Sequence, residues 1–278
     1  YRDPPGQPGS VEKDEVFRAS MISHKQHFLA WSLSSLARLT TLRSTSNVSF
    51  DASLFSDERK QACMKTLART SEDYSRLFRN VKTDVVAAVL VPFCLNPRGE
   101  PSVLLTLRSR KLSRHGGIIS FPGGIADTTD ASDVGTALRE TQEELGLPPT
   151  DVDVWGSMNA LPSLGSKILV TPVVGYVRSS SSPAFIDELV VNVDEVESVV
   201  VPTLKSLCDP EGWEYTQWTH PGVPGYVSPV FKLDGRDDRV WGLTARILHL
   251  ALSALVPESY SREYPPKLLK LNGSNSPL

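Results

Sequence analysis

Cysteine is scarce in this chain. There are three in 278 residues, Cys63, Cys94 and Cys208, far apart and odd in number. No CxxC or Cys/His spacing suggests zinc, and a disulfide framework is excluded in favour of buried thiols in a reducing compartment. No apolar run reaches the length of about 18 residues that a membrane span requires, so none is expected. Nor is there a surplus of positive charge: 29 Lys and Arg against 32 Asp and Glu leave a net charge of −3. That balance excludes a broad basic surface for nucleic acid or a membrane. No internal repeat is visible.

Acid is missing altogether from Met21 to Phe50, a stretch that holds Lys25, Arg38, Arg43 and many Ser and Thr. Leu33, Leu36, Leu39 and Leu42 recur there every third residue. An acid-free, Arg-bearing, Ser-rich amphipathic stretch has the composition of an organelle transit segment, so residues 21–50 are expected to direct the chain to mitochondria, the alternative being a surface helix. Residues 1–20, polar and rich in Pro and Gly, are expected to be disordered or a non-native leader. The chain closes on Ser276-Pro277-Leu278 rather than Ser-Lys-Leu, which disfavours a peroxisomal address and leaves the cytoplasm as the other compartment.

What is present is ordinary globular material, 40% hydrophobic and 22% charged. Residues 51–82 read as a helical extension with Leu54, Cys63, Leu67, Tyr74 and Phe78 on one face. Val85 to Val91 is a continuous β-branched apolar run, as for a buried strand. Asn96-Pro97-Arg98-Gly99 is a turn, and Ser102 to Leu107 completes a hairpin. Further strands are expected at 152–156 and at 168–177, the latter broken at Pro172, and at 199–201. Leu243, Ile247, Leu248, Leu250, Ala251 and Leu255 define the packing face of a last helix, with Trp241 read as core. The order strand, strand, glycine loop, helix, strands, helix is that of an α/β domain over residues 83–256, followed by a polar tail from 257 to 278.

The most informative stretch is Phe121 to Leu147. Pro122-Gly123-Gly124 forms a loop whose backbone can approach a ligand closely. Asp130 or Asp133 is placed to cap the helix that follows, Gly146 to end it in the left-handed conformation, and Pro148 to bar its continuation. Within that helix Glu140, Glu143 and Glu144 fall on one face. Three such carboxylates repel one another unless a dication sits among them, and hard oxygen donors suit Mg²⁺ or Mn²⁺. The bland alternative is a solvated acidic face. Upstream, Arg108, Arg110, Lys111, Arg114 and His115 precede Gly116-Gly117, a cluster that suits phosphate groups or merely a solvated loop. The segment from Asp194 to Glu197 reads first as a solvated strand edge, and Glu195 and Glu197 second as further acid near the metal.

The run Arg139-Glu140-Thr141-Gln142-Glu143-Glu144-Leu145-Gly146-Leu147 after the glycine loop resembles the Nudix box, G-X5-E-X7-R-E-U-X-E-E-X-G-U. The front half departs from it: counting back from Arg139, the glycine falls on Ile125 and the first glutamate on Ala131. One extra residue accounts for both, making Gly124 the box glycine and setting Asp130 near the missing glutamate. Leu104, Leu105, Thr106, Arg108, Ser109, Leu112, His115, Gly117 and Phe121 to Gly124 also resemble the longer signature of the coenzyme A diphosphatase branch of Nudix hydrolases. Ile118 stands where that branch usually has Glu, and Ile125 where Lys is common.

The resemblance implies a Nudix fold, a mixed β-sheet sandwiched between helices. It implies a small-molecule substrate, coenzyme A or acyl-coenzyme A, split at its diphosphate by a monomer or homodimer using Mg²⁺ or Mn²⁺. Glu140 and Glu144 are then the metal ligands, with Glu143 holding a further ion or acting as base. Arg139 orients a glutamate by a bidentate ion pair. Arg108, Arg114, His115, Gly123 and Gly124 are the substrate-binding candidates. The alternatives are a Nudix hydrolase of ADP-ribose or a dinucleotide, and a catalytically silent nucleotide-binding module.

Overall fold

The computed structural model describes residues 49–77, 85–112, 115–163, 168–182, 184–220 and 223–260. The expected leader, the transit segment except its last two residues, the Tyr74 side chain, Phe78, Arg114 and the polar tail from 261 lie outside these residues. In chain order the elements are α1 (Asp57–Leu77), β1 (Val85–Leu95), β2 (Pro101–Val103), β3 (Leu105–Arg108), β4 (Ile119–Ser120), β5 (Gly123–Ile125), α2 (Asp133–Leu145), β6 (Val152–Ser157), β7 (Leu161–Ser163), β8 (Ile168–Val177), β9 (Val196–Val200), α3 (Leu204–Leu207), β10 (Trp213–His220), β11 (Val223–Lys232), β12 (Arg239–Val240) and α4 (Gly242–Leu255).

The central sheet runs β2-β1-β8-β6, with β5 added to β1 and β7 to β8. β1 and β8 are parallel over nine residue pairs, from Val85↔Ile168 to Phe93↔Tyr176. The other pairings in this sheet are antiparallel, so it is mixed. Its first strand is apolar on both sides because both sides are covered. Val91 and Phe93 join one buried cluster with Cys63 and Leu67 of α1 and Leu248, Ala251 and Leu252 of α4. Ala88, Leu90 and Cys94, with the opposite parity, join a second cluster with Ala137 and Leu145 of α2. The sheet is therefore sandwiched between α2 on one face and α1 with α4 on the other, as the family resemblance implies.

Several expectations need correction. Ser102 to Leu107 is not one strand: β2 pairs with β1, while β3 leaves at Leu104 for a separate β4-β3-β9 sheet. β8 runs unbroken through Pro172. The proline is tolerated because β7 pairs β8 only up to Val170 and β6 only from Val173, so its missing N–H falls where the neighbouring strand changes. Trp241 is 38% exposed and occupies the cap position of α4 rather than the core. Tyr260 is buried against Trp213, Phe231 and His249, which carries the packed chain past Pro257. The β10-β11-β12 sheet was not anticipated, although Trp213 to Thr216 alternates large and polar side chains as a strand does.

Candidate active site

Helix α2 starts and stops where local chemistry dictates. Ser132, not Asp130 or Asp133, is the N-cap, its hydroxyl accepting from the Gly135 N–H at 3.2 Å. Gly146 ends the helix at φ 66° and donates to the Gln142 carbonyl at 2.8 Å. Asp130 is free for another task because Ser132 takes the cap. It receives Arg139 in a bidentate pair, Nε to Oδ1 and Nη2 to Oδ2, both 2.9 Å. That pair and the Thr136 hydroxyl hold the Asp130 carboxyl below the usual carboxylate range. The remaining donors of Arg139 reach Glu140 Oε1 at 3.0 Å, Glu143 Oε2 at 3.0 Å and the Ile125 carbonyl at 3.2 Å. The expected bidentate partner was a glutamate; it is Asp130, and the glutamates take single contacts.

The three acids do not share one environment. Glu143 is 53% exposed at the rim. Glu140 and Glu144, one turn apart, both turn inward onto β5. The Glu140 carboxylate lies against the Gly124 α-carbon, where an added Cβ would stand 2.4 Å from Oε2. Glu144 is 1% exposed and accepts from the Gly123 N–H at 3.4 Å. Gly123 has φ 145°, and a Cβ there would stand 2.3 Å from the Ala88 carbonyl oxygen. The double glycine is thus required twice, once by β1 behind it and once by the carboxylate in front.

Burial pushes the Glu144 carboxyl up to about 7, opposed by Arg108 and the Gly123 amide. Glu140 is raised as well, first by burial, against the pull of Arg139. Both are pushed further by the charge of Glu195, which the sequence reading gave only as its second choice for that segment. Glu197 faces the other way, toward Arg110 at 3.6 Å, as a solvated edge residue.

Arg108, at the end of β3, places Nη1 3.4 Å from Glu144 Oε1. Its Nε is buried and has no hydrogen-bond partner among the described residues. His115 is exposed, at φ 57°, on the turn that leaves Arg108 and returns to it through the Gly117 N–H. Gly117 and Arg108 are joined there at 2.9 Å.

Among the described residues, no three His, Cys, Asp or Glu side chains are gathered into a ready coordination cage. The donor set nonetheless fits a hard dication. Two inward carboxylates are held partly desolvated with only long or shared cationic contacts, and a third acid adds to their strain. All the donors are oxygen, the preference of Mg²⁺ and Mn²⁺. Sequence reasoning named the glutamates and the glycines as candidates, and the structure brings Glu140 and Glu144 against Gly124 and Gly123. That reasoning missed the Asp130–Arg139 pair, for which the loop's return onto the helix is the cause and no periodicity the signal.

A family model described as the NUDIX domain matches residues 85–207. The chain is 41% identical over 206 residues to a mouse protein named mitochondrial coenzyme A diphosphatase NUDT8, covering 74% of this chain and 91% of that one. It is 42% identical over 191 residues to the human protein of the same name, covering 68% and 76%. A Caenorhabditis elegans protein named Nudix hydrolase 3 is 32% identical over 226 residues, covering 75% and 90%.

Proposed function

The chain belongs to the Nudix hydrolase family, and from that premise we propose that it hydrolyses the diphosphate bond of coenzyme A and acyl-coenzyme A. The products are adenosine 3′,5′-bisphosphate and 4′-phosphopantetheine or its acyl form. The observation that carries this reading is the pair of inward carboxylates, Glu140 and Glu144, pressed against Gly123-Gly124 beside an arginine with an unpartnered donor. The mouse and human relatives, which carry the coenzyme A diphosphatase name, support the choice of substrate. So does the long match upstream of the helix, from Leu104 to Gly124.

Each side chain has a part in that reaction. Glu140 and Glu144 would hold Mg²⁺ or Mn²⁺, with the exposed Glu143 as ligand to a further ion or as base toward water. The dication, when bound, neutralises phosphate charge and lowers the pKa of water. Glu144 must shed the proton that burial favours, so cation binding and proton release are coupled at this residue. Arg139 does not touch substrate; it is held by Asp130 and steers Glu140 and Glu143. The free Nε of Arg108 offers a donor to a diphosphate oxygen, with His115 and the backbone of Gly123 and Gly124, and Arg114 outside the described residues, as the further candidates for phosphate. Residues 83–256 form the hydrolase domain, with 51–82 as its helical extension. The relatives' names, with the acid-free stretch at 21–50, support a mitochondrial address.

The test is turnover of metal-stripped protein re-supplied with Mg²⁺ or Mn²⁺. Coenzyme A, an acyl-coenzyme A, ADP-ribose and NADH are compared as substrates. The expected result is metal-dependent release of adenosine 3′,5′-bisphosphate from the coenzyme A species at the highest kcat/KM. Preference for ADP-ribose or NADH would overturn the substrate. Binding of nucleotide without product would overturn the enzyme.

A further inference from the structure

The acid that bears on Glu140 and Glu144 from outside the helix is carried by a segment with an unusual anchorage. Asn192 donates its backbone N–H to the main-chain carbonyl of Glu144 at 2.9 Å. This contact satisfies one of the carbonyls that a helix end leaves without a partner. Val190 closes over Gly146, where an added Cβ would stand 2.9 Å from the valine's own. The carbonyl of Asn192 then accepts from both Glu195 N–H, at 3.0 Å, and Val196 N–H, at 2.8 Å. On the far side, the Glu195 carbonyl accepts from the Ser109 N–H at 2.8 Å. The segment is thus clipped to the end of α2 on one side and to the chain after β3 on the other.

The side chain of Asn192 works inside that clip. Its Oδ1 accepts from the Asp194 N–H at 3.2 Å, and its Nδ2 donates to Glu195 Oε1 at 3.2 Å. The two contacts fix the amide's orientation from both ends, since only the Nδ2 side can face a carboxylate. The neighbouring acids turn elsewhere: Asp194 toward Lys111 at 3.3 Å, and Glu197 toward Arg110 at 3.6 Å. Of these three, Glu195 is the one held from both sides of the site, by Ser109 next to Arg108 and, through Asn192, by Glu144.

We propose that Asn192 is a positioning residue. It ties the backbone at Glu144 to the carboxylate of Glu195, so that Glu195 presents its second oxygen, Oε2, to a cation shared with α2. A free glutamate side chain among like charges would swing into water to escape repulsion. The amide donor opposes that escape on Oε1 while leaving Oε2 uncommitted. Such outer contacts fix the direction of a ligand rather than supply one. The inference rests on the reading of the glutamates as a metal site and adds to it a fourth acid and the residue that aims it.

The experiment is Mn²⁺ binding to the purified protein without substrate, by calorimetry or by the electron paramagnetic resonance of free Mn²⁺. Wild type, Asn192→Ser, Glu195→Gln and the double variant are compared. Serine keeps an acceptor for the Asp194 N–H but cannot reach Glu195. Asn192→Ser is expected to weaken Mn²⁺ binding about tenfold, the lower end of the usual outer-contact effect. Glu195→Gln should weaken it at least as much, and in that background Asn192→Ser should add less than about twofold, the mark of two residues acting as one. The thermal midpoint of Asn192→Ser should match wild type; if serine disturbs the loop, Asn192→Thr carries the same measurement. Equal Mn²⁺ affinity in wild type and both Asn192 variants overturns the proposal, as does an undiminished effect in the Glu195→Gln background. Failure of wild type itself to bind Mn²⁺ would instead sink the metal site.

Discussion

Helices α2 and α4 are of similar length, 13 and 14 residues, and pack on opposite faces of one sheet. They bury different things. In α4 the buried set includes Ala245, Ile247, Leu248, Leu250, Ala251, Leu252, Ala254 and Leu255, with Arg246 held at the Pro162 carbonyl. In α2 the buried set is Thr136, Ala137, Thr141, Glu144 and Leu145. One helix removes apolar surface from water at about 25 cal/mol per Å². The other spends part of its inner face on a carboxylate whose burial opposes its own ionisation. The contrast teaches that the α2 face gives up stability to hold a buried carboxylate, which the apolar α1–α4 face offsets.

The sharpest way to break this comparison is to neutralise the buried acid. Glu144→Gln keeps the shape and removes the charge. Turnover of coenzyme A is expected to fall about 10²–10⁴-fold, the range for a group acting at the reacting centre, while the metal-free protein melts no lower than wild type. A variant of unaltered kcat would show that α2 is merely another packing helix. The converse change is Leu248→Ala in α4. A cavity there should cost about 2–5 kcal/mol in urea unfolding, with activity per folded molecule unchanged.

The acidity of Glu144 gives a third test. Its folded-state value of about 7 lies above the ordinary 4.5. Between those values the folded protein keeps a proton that the unfolded chain has lost. The stabilisation is therefore whole below about pH 4.5 and is lost as pH rises through about 7. In chelator-treated protein the stability from this group should fall by about 3 kcal/mol from pH 5 to pH 8. Glu144→Gln should flatten that slope, and added Mg²⁺ should oppose it. The smallest effect expected is that of Asp130→Asn, which loosens the far end of Arg139. It should slow turnover about tenfold through misdirected Glu140 and Glu143, with KM for coenzyme A nearly unchanged.

What could be read without coordinates follows from how local each feature is. The end of α2 was legible because Gly146 and the proline after it act within one turn. β1 was legible because a strand covered on both faces needs apolar residues at both parities. The double glycine was legible as a place of close approach, but not the reason: Ala88 behind Gly123 and Glu140 in front of Gly124 come from elements on either side. Pro172 misled because a proline's harm depends on which neighbour strand lies beside it. The split of Ser102 to Leu107 between two sheets has no periodic signal, since both halves are apolar. The Asn192 clip lies nearly fifty residues beyond α2 in the chain, so no spacing rule connects them.

The parallel ladder between β1 and β8 has a consequence for how the protein comes into being. Val85 waits for Ile168, and the span between them, about eighty residues, contains β5 and α2 entire. A ribosome adding about 5–20 residues per second needs roughly 4–16 s to deliver that partner. Until then the central strand has no parallel neighbour, only its antiparallel partners β2 and β5. The parallel centre of the sheet therefore closes late, after the helix that carries the glutamates has already been made.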